Sequence, residues 1–219
     1  MLNSILQWFS NTRFWVWFSS KVISGYNLRR WGYTQFPMKA FFEIFEAINE
    51  SEKAAPGIYA FSCVDRGSFA GWLITTFVGT DTAHAGVFYP ESLHSEKLMT
   101  VFHMKGKGWC EDHFLDLLKE VDSCIISKYE FTSVEERDRV ASKLKEIRKA
   151  GPTYDFQQEL ESKSKIYCSE LVYAIMKDVL YKDRDGGTRV VRPGRDLGRS
   201  TFDPDDVYKQ ATKILWENL

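Results

Sequence analysis

Residues 166–173 read Ile166-Tyr167-Cys168-Ser169-Glu170-Leu171-Val172-Tyr173, and the run continues without a breaker to Tyr181. Leu171, Val172, Ile175, Met176, Val179 and Leu180 recur at helical spacing, so Cys168 to Tyr181 predicts a helix whose apolar face lies at the centre of the core. Cys168 stands at its first position. There a thiol meets unpaired backbone N–H groups and the positive end of the helix dipole, which predicts a pKa below the ordinary value of about 8.5. Glu170, in the first turn, favours the same N–H groups while opposing thiolate formation, and reads as structural. The remaining cysteines, Cys63, Cys110 and Cys124, lack that placement and form no C-x-x-C pair, so they read as reduced structural thiols.

Outward from this helix the chain alternates between the two periods of secondary structure. Upstream, Ile58–Cys63, Ala83–Tyr89, Leu98–Lys105 and Cys124–Phe131 are rich in branched and aromatic residues and predict strands, the second and third adjacent and antiparallel. Helices are predicted over 38–48, over 67–77, over 110–121, and from the capping-box pattern Ser133-Val134-Glu135-Glu136 to about Lys149, where Gly151-Pro152 stops it. Gly106-Lys107-Gly108 reads as a turn, since it lacks the length and the Ser/Thr of a phosphate-binding loop. Downstream, Asp203-Pro204-Asp205 predicts an N-cap with proline at the first helical position, opening a last helix to Trp216. The order is mixed α+β.

The chain has 219 residues, 44% of them apolar, enough for one sizeable core. Its 29 Lys+Arg against 30 Asp+Glu leave a net charge of −1, which supplies no global field for nucleic-acid phosphates. Residues 1–53 read as an aromatic-rich N-terminal helical extension and 54–219 as the main domain, with Ala54-Ala55-Pro56-Gly57 at the boundary. Within 1–21, Trp8, Phe9, Phe14, Trp15, Trp17 and Phe18 crowd together. The stretch lacks the basic start and cleavage site of a signal peptide and is too often interrupted by polar residues for the roughly 20-residue apolar span of a membrane helix. Its rings either pack on the core, the favoured reading, or let residues 1–30 lie in a lipid headgroup region.

Four short motifs occur in an order that resembles the circularly permuted papain-fold cysteine amidases, the YiiX-like branch of the NlpC-type superfamily. They are Pro56-Gly57 followed by Trp72-Leu73-Ile74; His84-Ala85-Gly86-Val87; Tyr154-Asp155-Phe156 with Ile166 to Tyr173; and Asp203 to Tyr208. The resemblance covers about residues 55 to 210 and leaves the aromatic N-terminus outside. It implies a permuted papain-like fold, an antiparallel sheet packed against a central helix that carries the nucleophile at its N-terminus. It also implies that Cys168 attacks and His84, which precedes it in sequence, deprotonates it. His103, on the next strand, would orient the imidazole, with Glu96 as the reserve candidate, and Tyr154 would help the Cys168 backbone N–H hold an oxyanion.

The function expected on this basis is a cysteine hydrolase that cleaves an amide, peptide-type bond through an acyl-enzyme on Cys168. One alternative is a lipid acyl hydrolase or acyltransferase at a membrane surface, like the lecithin retinol acyltransferase-like relatives; a second is a non-catalytic binding module. Expected partners are a peptide, peptidoglycan-type or acyl-lipid substrate, with peripheral membrane contact through residues 1–30 and no nucleic acid. No cofactor and no metal are expected: His103, Cys110 and His113 include a C-x-x-H spacing but no second pair of ligands. His94 and His113 read as solvated side chains. Arg184, Arg189, Arg192, Arg195 and Arg199 read as a solvated loop in preference to an anion site. Reduced thiols predict a cytoplasmic location, at a membrane face in the alternative.

Overall fold

Gly57–Val64 (β1) is buried along its whole length, as a run of apolar residues must be when both faces of a central strand are covered. The computed structural model describes residues 38–64, 75, 80–88, 99–160, 164–196 and 199–218. In chain order the further strands are His84–Phe88 (β2), Thr100–Lys105 (β3), Gly108–His113 (β4), Ser123–Phe131 (β5), Thr153–Tyr154 (β6), Lys165–Ile166 (β7), Tyr181–Lys182 (β8), Thr188–Arg189 (β9), Gly194–Asp196 (β10), Arg199–Thr201 (β11) and Lys213–Asn218 (β12). The helices are Met38–Ala54 (α1), Phe114–Leu118 (α2), Val134–Ala150 (α3), Cys168–Met176 (α4) and Pro204–Lys209 (α5). Among the described residues, an eight-stranded sheet runs β4-β3-β2-β1-β5-β8-β9 with β12 also paired to β5. Every pairing in it is antiparallel. The architecture is α+β with a mostly antiparallel sheet.

Successive residues of a strand point to opposite faces, and here both faces are covered. Ile58, Ala60, Ala85, Val87, Phe102 and Met104 pack with Leu171, Val172 and Ile175 of α4 and Val140 and Leu144 of α3. Tyr59, Phe61, Phe88 and Val101 pack on the other side with Ile44 and Ile48 of α1 and Phe114 and Leu117 of α2. Burial of each of the Val, Leu, Ile, Phe and Met side chains among these contributes about 1.5–3 kcal/mol, so α4 and α1 are held from opposite sides of one sheet. No helix among the described residues is long and apolar enough to cross a membrane.

The strands expected near 58–63, 83–89, 98–105 and 124–131 are present, and the second and third pair antiparallel. Four expectations are corrected. Residues 110–121 form not one helix but β4 followed by α2, because the turn at Gly106-Lys107, closed by Gly108 at φ 104, folds the chain back along β3. The helix at Cys168 ends at Met176, and Tyr181 instead pairs with Phe131 in the sheet. The last helix ends at Lys209, and 213–218 become β12, since pairing with β5 outweighs the helical pattern. At α3 Ser133 makes no side-chain cap, and Glu136 accepts the Leu180 backbone N–H at 3.2 Å instead. The helix expected over 67–77 lies outside the described residues apart from the helical Thr75, as do the aromatic residues of 1–37.

Candidate active site

Gly86 lies opposite Phe61 of β1 and opposite His103 of β3. A Cβ there would stand 2.5 Å from the Phe102 carbonyl oxygen and 2.7 Å from the Phe61 ring, so only glycine lets the three strands close with the ring in place. Phe61 then touches both imidazoles, with ring centroids 5.9 Å from His84 and 6.0 Å from His103. His84 Nε2 lies 2.9 Å from His103 Nδ1, and His103 Nε2 lies 3.0 Å from Asp112 Oδ2 on β4. Lys105 Nζ donates to the same Asp112 oxygen at 2.7 Å and lies 3.6 Å from Glu120. The row runs from His84 through a fully buried His103 to Asp112 and Lys105, both about a third exposed.

Burial pushes His84 well below the usual histidine range, and the neighbouring His103 and Lys105 push the same way. His103 is also lowered, by burial first, against the opposing pull of its hydrogen bond to Asp112. That hydrogen bond from His103 is the largest influence on Asp112 and, with Lys105, holds its carboxyl well below the ordinary range despite desolvation. The pair of imidazoles is therefore neutral at neutral pH, next to an ionised carboxylate.

Cys168 is the first residue of α4, and its thiol lies against the backbone N–H groups of Ala85 and Ser169 and the hydroxyl of Tyr154. Burial raises the thiol above its ordinary pKa, and these donors offset the rise only in part. The depressed pKa expected from the helix N-terminus is thus corrected: desolvation of the thiolate outweighs the helix end. Tyr154 reaches the thiol because β6 pairs in parallel with β7, setting Tyr154 opposite Ile166, two residues before Cys168. Asp155 holds the turn that follows, its carboxylate accepting from the N–H groups of Gln157 at 3.0 Å and Glu159 at 2.9 Å. Glu170 accepts the Tyr167 N–H at 3.3 Å, the structural role expected of it.

The structure therefore brings the site residues together as two pairs near β2, His84 with His103 and Tyr154 with Cys168. The thiol approaches from the α4 face and touches Ala85, while the imidazoles pack on Phe61 from the α1 face. Among the described residues no hydrogen bond joins the Cys168 thiol to His84, which bonds His103 instead. Glu96 and His94 lie outside the described residues. His113 is not merely solvated: its Nδ1 accepts from the Leu115 N–H at 3.2 Å and caps α2, and its ring stacks on Phe41. Arg184 and Arg189 do not form a free loop either; they donate to the Tyr208 and Gln210 carbonyls at the end of α5. The helical pattern of residues 110–121 hides the strand that carries Asp112. The Gly106-Lys107-Gly108 turn directly after the β3 run was the available signal for a returning strand.

Among the described residues, the two imidazoles of the row are not set to share a metal ion. His84 Nε2 and His103 Nδ1 face each other across a hydrogen bond, which one nitrogen must donate and the other accept, so they cannot both direct lone pairs at one ion. Among the described residues no group of three or more His, Cys, Asp or Glu converges in a way that could hold a metal ion.

The chain matches no family model and no curated protein. It is similar in fold to a crystal structure of YiiX from Escherichia coli O157:H7, described as a metalloprotein, with 16% sequence identity and a TM-score of 0.52. The match covers 75% of this chain and 97% of that one.

Proposed function

We propose that this protein is a cysteine hydrolase on a permuted papain-like fold, which cleaves an amide, peptide-type bond through an acyl-enzyme on Cys168 with His84 as general base. The observation that carries the reading is the Cys168 thiol at the start of α4 held against the Ala85 N–H, one residue from an imidazole engaged by His103. The likeness to YiiX bears on the fold of this reading and not on its chemistry.

Both groups rest neutral, so the chemistry is general-base catalysis and not attack by a preformed thiolate. The free ring nitrogen of His84 takes the thiol proton as Sγ bonds to the carbonyl carbon. The developing oxyanion is met by the Cys168 backbone N–H, unpaired in the first turn, and by the Tyr154 hydroxyl, which burial keeps protonated. Collapse expels the amine, which takes the proton from His84 and leaves a thioester. Water then attacks the thioester, gives its proton to His84, and the released thiol recovers that proton. His103 is the positioning residue for His84.

Site-resolved alkylation with iodoacetamide, read by mass spectrometry at neutral pH, tests the pairing. Exposure alone ranks Cys110 at 5% with Cys168 at 4%, above Cys63 at 1% and Cys124 at 0%. The expected result is labelling of Cys168 at least about tenfold faster than Cys110, with the advantage lost in His84→Ala. Cys168 labelling no faster than Cys110, or unchanged in His84→Ala, would overturn the hydrolase and leave a binding module on the same fold.

A further inference from the structure

We propose that Asp112 is a positioning residue that sets the tautomers of both imidazoles, so that His84 presents an unprotonated Nδ1 as the base; this rests on the hydrolase reading above. The argument is one of donor and acceptor counting along the row. An ionised carboxylate only accepts, so the 3.0 Å contact to Asp112 requires the proton on His103 Nε2. A neutral His103 protonated there offers Nδ1 as an acceptor. The 2.9 Å contact is then His84 Nε2–H donating to His103 Nδ1, which leaves the lone pair of His84 on Nδ1. Without a fixed acceptor at the far end, the row can run in the reverse sense, with His103 Nδ1–H donating to His84 Nε2. The proton of His84 then sits on Nδ1 and the base is lost.

The surroundings suit this task. Lys105 donates to Asp112 at 2.7 Å, is itself balanced by Glu120, and keeps the carboxylate an acceptor. Cys110, opposite His103 in register, directs its thiol to the Gly108 carbonyl and does not compete for the row. His103, fully buried between Phe61 and the two strands, has no water-facing alternative for Nε2. When His84 takes a proton at Nδ1, its Nε2–H bond to His103 is kept and strengthened by the new charge. No proton has to reach Asp112 for the residue to act.

Long-range 15N–1H correlation of the imidazoles in the full chain tests this directly. The expected wild-type spectrum has neutral His84 and His103 both protonated at Nε2. In Asp112→Asn, whose amide can donate as well as accept, Nδ1–H forms are expected to appear, and Cys168 alkylation to fall about tenfold or more. A wild-type His84 protonated at Nδ1 overturns the proposal and needs no variant that folds. Tautomers unchanged in a folded Asp112→Asn overturn it equally. The hydrolase reading fails separately, by an unreactive Cys168, and the tautomer spectrum then still decides the role of Asp112.

Discussion

Gly86 shows how one missing methyl group organises the site. The Phe61 ring occupies the space a Cβ would take and packs on His84 and His103 from there. Gly86→Ala is expected to lower stability by about 1–3 kcal/mol in urea unfolding, because a backbone oxygen at 2.5 Å cannot rotate away as a side chain can. An unchanged midpoint would show that the strands part at no cost. The histidines were legible as residues, through their order relative to Cys168. The third member of their row was not, since Asp112 meets His103 only through the β3–β4 register. Nor was the protonation state of Cys168: a helix N-terminus is visible in sequence, but the desolvation that opposes it comes from the elements that close over the thiol.

The elements whose pattern and neighbours agree form as the sequence predicts. β1 and β5, apolar runs bounded by Pro56-Gly57 and by Thr132-Ser133, pair over eight residues each. α1 extends past its apolar positions to Ala54 for a tertiary reason: Lys128 of β5, fully buried, donates to the Ser51 carbonyl at 2.6 Å and its hydroxyl at 2.9 Å, and also to the Ala55 carbonyl. Burial lowers this ammonium to about 8. Lys128→Met keeps the packing but removes the ammonium donor from the Ala55 carbonyl and leaves the Ser51 carbonyl only the Ala55 N–H, with an expected loss of about 1–3 kcal/mol and faster amide exchange in the last turn of α1. Full retention of protection there would mean that Ile44 and Ile48 hold the helix alone. Where pattern and partner disagree, the partner decides: Lys213–Asn218 becomes a strand because β5 offers an unpaired edge.

Across the whole molecule the buried histidines tie stability to pH. Their folded pKa values lie below 6.5, so between that value and the folded ones the unfolded chain binds more protons. Stability is therefore full above pH 6.5 and falls as pH drops below it. Asp112, depressed first by the His103 hydrogen bond, and Asp205, where desolvation is outweighed by Lys209, the Asp81 N–H and the Thr82 hydroxyl and N–H, add a second loss below the ordinary carboxyl range. The urea midpoint should fall steadily from about pH 7 to 5, and a flat profile would contradict neutral buried imidazoles. The amino-acid sequence by itself determined the α+β class, the four strands β1, β2, β3 and β5, the helix that begins at Cys168 and the order of the motif residues, because these follow from local periodicity and from residue identity along the chain. Tertiary structure alone decided which face each side chain takes, that Asp112 ends the histidine row, and that Cys168 and His84 rest neutral. Register, burial and hydrogen bonding between distant strands arise only when the sheet closes, and no window of sequence contains them.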